Sequence, residues 1–119
     1  MTVDLAALDA EDFCYLTTTG RVTGRPHTVE IWFAIHQQTL YILSGGGDSS
    51  DWVKNALRQP QVTIRIERTT FPAHARLAQN GEEDALARRL LFDKYNAPDE
   101  DLEEWARTSL PMVFDLILP

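Results

Sequence analysis

Residues 15–54 read YLTTTGRVTGRPHTVEIWFAIHQQTLYILSGGGDSSDWVK, and this stretch decides the fold. Runs of β-branched and aromatic residues alternate with turn residues, which gives three strands and then the start of a helix. Two glycine-bearing loops, GRVTGRP and SGGGDSSD, interrupt the strands. The first carries Arg21 and Arg25 with Thr23 between them, and the second, led by Ser44 and Gly45-Gly46-Gly47, runs into a helix beginning near Ser50. Guanidinium forks, backbone amides open to close approach and a helix N-terminus are the groups that hold a phosphate.

Working outward, residues 3–11 suit a short amphipathic helix, with Leu5, Ala6 and Leu8 on one side. Phe13 to Thr19 is the first strand. Pro26 sets the start of the second, which the pattern extends without a break from His27 to Ile35. Alternation puts Val29, Ile31, Phe33 and Ile35 on one face, with His27, Glu30 and Trp32 assigned to the other. HQQT is a hairpin turn, and Leu40 to Leu43 is the third strand. Asp48 or Ser49 is expected to N-cap a helix through Arg58, which Pro60 ends.

Val62 to Ile66 and Phe71 to Ala78 are two further alternating strands. Glu82, Glu83 and Asp84 favour a helix start after the Asn80-Gly81 turn, and Ala97-Pro98 ends that helix. Asp99 is expected to cap another helix carrying Leu102, Trp105 and Ala106. Pro111 is read as its stop and Met112 to Leu118 as the final strand. The fold expected is mainly β with helices: a single domain over residues 1–119, forming a six-stranded antiparallel barrel closed by the last strand. Closure by that strand protects sheet edges.

At 119 residues and 44% hydrophobic composition the chain can bury a core without metal or disulfide staples. Cys14 is the only cysteine and lies in a strand pattern, which suits a buried, inert thiol and a reducing, cytoplasmic setting. The first residues lack a basic region and a long apolar run, and no apolar window reaches a membrane span, so neither a signal peptide nor a transmembrane segment is expected. The net charge of -7 argues against a nucleic-acid surface. Seven basic residues stand against eight acidic ones up to Arg76, and four against ten after it. Four of the early cations, Arg21, Arg25, Lys54 and Arg58, sit in or beside the two glycine loops.

No side-chain set for hydrolysis or nucleophilic catalysis is recognisable. CxxC, HExxH and GxSxG are all absent, and His27, His36 and His74 lack metal-ligand spacing, so neither a catalytic side chain nor a metal is expected. The run Asp99 to Glu104 suits a solvated helix face. Lys54 and Arg58 share one helix face, turned either to solvent or to a cofactor. Trp32, Trp52 and Trp105 suit the core, or else the flat wall that a tricyclic ring needs. Taken together, the two loops point to an anionic cofactor.

The segments TTTGRVTGRPHTVEIWF and YILSGGGDSSDWVKNALRQPQVTI and the ending ARTSLPMVFDLILP resemble the deazaflavin-dependent nitroreductase family. These are split-β-barrel, FMN-binding-like oxidoreductases related to the pyridoxamine-phosphate oxidase barrels, and the resemblance runs from Phe13 to the end. It implies a six-stranded split barrel holding coenzyme F-420, with FMN as the alternative. Hydride would pass from reduced deazaflavin to a small electrophile such as a quinone, nitro compound or enone, with the organic chemistry belonging to the cofactor. Arg21, Ser44, Gly46, Gly47, Trp52 and Asn55 match the family's cofactor contacts. Val22, His27 and Gly45 stand where the family often has cations, leaving Arg25, Lys54 and Arg58 as substitutes. Tyr95 lies near an aromatic position that the family places by its substrate, and Glu30, which replaces a common proline, could meet ring or substrate. Related barrels often dimerise, and a short chain leaves the groove half built, which points to a homodimer. A non-catalytic binder of flavin, haem or a lipid-like ligand is the remaining alternative.

Overall fold

The computed structural model describes residues 3–99 and 101–119, so Glu100 of the acidic run lies outside it. Its elements are α1 (Leu5–Asp9), β1 (Cys14–Thr19), β2 (Pro26–Ile31), β3 (Ala34–His36), β4 (Thr39–Ser44), α2 (Asp51–Arg58), β5 (Gln61–Ile66), β6 (Thr69–Leu77), α3 (Gly81–Tyr95), α4 (Glu103–Thr108) and β7 (Leu110–Leu116). A single 3-10 turn, Gly47–Ser49, precedes α2. All strand pairings are antiparallel, in the order β2-β1-β5-β6-β7-β4-β3. The sheet is the expected antiparallel split barrel, with seven strands in place of six.

The extra strand arises because the continuous run expected over His27–Ile35 breaks at Trp32-Phe33. β2 pairs with β1 and β3 pairs with β4, so both sheet edges come from one short stretch of chain and form the barrel's seam. The break has a visible cause. Tyr95 Oη accepts from Phe33 N at 3.0 Å and lies 2.9 Å from the Phe33 and Asp12 carbonyl oxygens, to one of which it donates. Lys94 Nζ donates to Phe33 O at 2.9 Å and sits 3.8 Å above the Phe33 ring. Asp9 accepts from Ile35 N at 2.7 Å. Side chains of α1 and α3 therefore satisfy backbone groups that leave the ladder at Phe33.

Tyr95→Phe removes the acceptor for the buried Phe33 N–H. It should cost about 1–3 kcal/mol in denaturant-unfolding experiments, the usual penalty for orphaning a buried donor. A change inside experimental error would show that the seam does not depend on this hydroxyl.

The barrel interior is filled by Leu16, Phe33, Ile42, Ile64, Ile66, Phe71, Met112 and Phe114, all essentially inaccessible. Cys14 is fully buried among them, and burial pushes its thiol up to about 12. β5 buries alternate residues, because its outer face meets solvent. β4 buries five consecutive residues, because α3 and α4 cover its outer face with Ala87, Leu91 and Ala106 against Tyr41, Leu43 and Val113. β7 lies between β6 and β4 and joins the β3-β4 hairpin to the rest of the sheet. Pro111 belongs to β7 and does not end the helix; it pairs with Leu43 of β4, one position beyond the last residue paired to β6. α4 begins at Glu103, so Asp99 does not cap it, and Asp101 accepts from Glu103 N at 3.1 Å.

Arg76 ties β6, β7 and α3 together. Its guanidinium donates twice to Glu83 (2.6 and 2.9 Å) and twice to Asp115 (2.7 and 3.2 Å). The hydrogen bonds from Arg76, with a further one from Gln79 N, hold the Glu83 carboxyl below its usual range. A carboxyl depressed in the folded state stabilises the fold above the unfolded-state pKa, and that contribution is lost as pH falls through the folded value. Thermal unfolding from about pH 5 downward should therefore fall more steeply for the native chain than for Glu83→Gln. Parallel curves would remove this ion pair from the acid response.

Candidate functional site

Where β1 ends, the core-facing column of the barrel turns polar. β1 and β2 pair Cys14 with Ile31, Leu16 with Val29 and Thr18 with His27, and directly opposed residues share a face. His27 therefore lies on the same face as Val29 and Ile31, which corrects its assignment to the opposite one. Glu30 has the other parity: it pairs with Tyr15, and its carboxylate accepts from the Tyr15 hydroxyl at 2.8 Å on the outer face.

Above this column lies an open cavity of about 450 Å³. The β1–β2 loop supplies Gly20, Arg21, Val22 and Thr23; β2 supplies His27, Thr28 and Val29; α2 supplies Asp51, Trp52 and Asn55. Loop and helix are joined by Asn55, a buried amide. Its Oδ1 accepts from Arg21 N (3.2 Å) and Arg21 Nη1 (2.7 Å), and its Nδ2 donates to Thr18 Oγ1 (3.3 Å). Arg21 Nη2 donates to Asp51 Oδ1 at 3.1 Å, across a pair whose carboxylate is almost fully exposed. Exposed pairs of this kind are weak, about 0–1 kcal/mol, so a stronger anion can displace Asp51 from the guanidinium.

Gly20 is required by close approach. A Cβ there would lie 2.7 Å from His27 Nε2 and 3.1 Å from the Arg25 carbonyl oxygen. Gly20 N donates to Arg25 O at 2.7 Å, closing the loop whose backbone turns through positive φ at Gly24.

The second loop acts through the helix that follows it. Ser44 Oγ, buried, donates to Gly47 O at 2.8 Å and so accepts from Ser50 Oγ at 3.0 Å. Ser50 is the N-cap of α2, in place of Asp48 or Ser49, and its side chain makes no cap hydrogen bond. Its hydroxyl donates to Ser44, and no side chain among the described residues accepts from the first N–H groups of α2. Gly46 serves packing: Ser50 Oγ is 2.5 Å from where its Cβ would be, while Gly45 faces the Trp105 indole.

Five residues expected around a cofactor, Arg21, Thr23, His27, Trp52 and Asn55, are thus brought to one cavity. Ser44, Gly45, Gly46 and Gly47 are not among its lining residues, and Arg25, Lys54 and Arg58 are exposed outside that lining. Trp32 and Tyr95 lie away from it: Trp32 stacks on Tyr95 (4.3 Å between centroids, 2° between planes) and meets Trp105 edge-on at 5.5 Å beneath α3 and α4. Gly20, Val22, Thr28, Val29 and Asp51 are lining residues that the sequence reading missed. Asp51 carried a signal, because it stands one helical turn before Asn55 and shares its face.

The lining fits a flat ring with an anionic tail. Val22, Val29 and Trp52 give apolar wall, Arg21 and the uncapped start of α2 give an anion seat, and the absent Cβ of Gly20 leaves room for the His27 ring.

The model of the F-420H(2)-dependent quinone reductase family matches residues 5–116. No functionally curated protein matches the chain. Among solved structures, the fold is similar to a candidate 5-nitroimidazole antibiotic resistance protein from Bacteroides thetaiotaomicron (TM-score 0.75, 15% identity, 96% of this chain and 78% of that one). It is also similar to an F-420-H2 dependent reductase (TM-score 0.69, 22% identity, 90% and 95%). A candidate pyridoxamine 5'-phosphate oxidase from Listeria innocua shares the barrel as well (TM-score 0.66, 16% identity, 95% and 88%). With 112 residues inside the family match, the chain belongs to the F-420H(2)-dependent quinone reductase family, and is an oxidoreductase whose coenzyme is the deazaflavin F-420.

Proposed function

We propose that this protein, as one split-barrel domain acting in the cytoplasm, uses the cavity between the β1–β2 loop and α2 to hold F-420 and reduce a small electrophile. A quinone is the favoured substrate, ahead of nitro compounds and enones. Bound reduced deazaflavin supplies a hydride. The remaining work falls to the chain's own residues.

Arg21 and the free N–H groups at the start of α2 take the phosphate-bearing tail. Asn55 holds the guanidinium in place, and Trp52, Val22 and Val29 give the ring an apolar wall. The observation that carries this reading is the Arg21–Asn55 junction, which places a charged fork beside an uncapped helix start at the mouth of the cavity. Titration with F-420, followed by Trp fluorescence, should show saturable quenching, because Trp52 lines the cavity. No quenching at high micromolar ligand, or a yellow preparation that releases FMN, would overturn the assignment.

Of the lining residues, His27 and Thr28 on β2 and Val22 on the loop are exposed, as is the neighbouring Pro26. A second copy covering these residues is the arrangement we favour. Light scattering on a size-exclusion column should then give twice the chain mass, 27 kDa against 13.5 kDa for one chain.

A further inference from the structure

We propose that His27 donates the proton that completes substrate reduction, a role that rests on the cavity reading above. Hydride transfer to a quinone delivers two electrons and one hydrogen and leaves one substrate oxygen as an anion. A second proton must reach that oxygen to give the hydroquinone. In the proposed step an imidazolium N–H bond of His27 breaks, the O–H bond forms, and the imidazole is left neutral. Solvent reprotonates it, since His27 is exposed.

The charged or titratable groups lining the cavity, among the described residues, are Arg21, His27 and Asp51. A guanidinium keeps its proton throughout the ordinary pH range, and an ionised carboxylate only accepts. Imidazole is the one side-chain type of the three that can both hold a proton and hand it to an oxygen anion. The fold also positions its ring. His27 closes the core-facing column opposite Thr18, and its Nε2 edge lies over Gly20 in space that any other residue would fill. The charged groups that line the same cavity are Arg21 from the loop and Asp51 from α2, with Arg25 on its own hairpin; on β1, His27 is paired with Thr18.

The test combines turnover, coenzyme binding and NMR. His27→Gln should bind F-420 as the native protein does, yet reduce a benzoquinone with kcat lower on the order of 100-fold, the range of a lost general acid. Because the proposed step consumes an imidazolium proton, the native rate should fall as pH rises; the variant's should not, and added imidazole should restore part of it. Gly20→Ala, which displaces the ring, should lower kcat in the same direction. On the native protein, a non-reducible quinone analogue should move the imidazole proton resonances of His27 and shift their titration. His36 and His74, on β3 and the outer side of β6, should not respond and serve as references.

An unchanged kcat and pH profile in His27→Gln would overturn the proposal, as would loss of coenzyme binding, which would make His27 a coenzyme ligand. A silent His27 resonance would overturn it even if the variants failed to fold. Failure of the cavity reading would show separately, as unchanged F-420 affinity in Arg21→Ala.

Discussion

Replacing Arg21 with alanine should weaken F-420 binding by about 10- to 100-fold while leaving the fold nearly intact. A hydrogen bond to a charged group contributes about 1.5–3 kcal/mol, and about 1.4 kcal/mol is a tenfold change in affinity. The stability cost is small because the lost partners are modest. Asp51 is almost fully exposed and regains water, and Asn55 keeps its bond to the Arg21 backbone N–H and to Thr18. Arg21→Lys keeps the charge but loses the planar fork, so it should recover only part of the affinity, with greater sensitivity to salt. Equal affinity in the native protein and Arg21→Ala would remove the guanidinium from the coenzyme site.

Asn55→Ala should have the largest effect on stability among the lining residues. The amide is buried and serves three groups: the Arg21 backbone N–H, the Arg21 guanidinium and the Thr18 hydroxyl. Removal orphans the partly buried Arg21 N–H and the buried Thr18 side chain, at about 1–3 kcal/mol for each group left without a partner. For a chain of this size the two losses together should lower the melting temperature by about 8–24 °C. Coenzyme affinity should fall with it, because the β1–β2 loop is no longer tied to α2. Asn55→Asp separates the two effects. Its carboxylate still accepts from Arg21, so the fold should recover. The added negative charge faces the coenzyme's phosphate, so binding should stay weak. Asn55→Asp that restored both, or Asn55→Ala that melted like the native protein, would contradict the role given to this amide.

Much of the fold was legible from local patterns, and the failures have physical causes. Val62 to Ile66 alternates in sequence and does so in β5, because one face of that strand meets solvent. The break at Trp32-Phe33 was invisible, because six of the eight residues from Thr28 to Ile35 are strand formers, Trp32 and Phe33 among them. The groups that end β2 come from Lys94 and Tyr95, some sixty positions away. Tyr95, expected beside a substrate, is committed to that seam and to Trp32. The face of His27 was within reach of the sequence, since it has the parity of Val29.

The site divides in the same way. Arg21, Trp52 and Asn55 were readable as candidates from the resemblance, but their junction is a contact across 34 positions that no local pattern encodes. The triple glycine suggested backbone open to a ligand. Within the fold, Gly46 makes room for Ser50, which bonds to Ser44 and does not cap α2 with its side chain. Lys54 and Arg58 share a helix face as expected, yet that face lies outside the cavity.

The most direct test of the coenzyme site is an amide NMR titration of the labelled protein with F-420. The backbone N–H signals of Gly20, Arg21, Val22 and Thr23, and of Asp51, Trp52 and Val53 at the start of α2, should move together and saturate at one affinity. If the shifts gathered elsewhere, for instance around Arg88, Phe92 and Arg107 beside α4, with the loop and the α2 start unmoved, the coenzyme would not lie where the cavity places it.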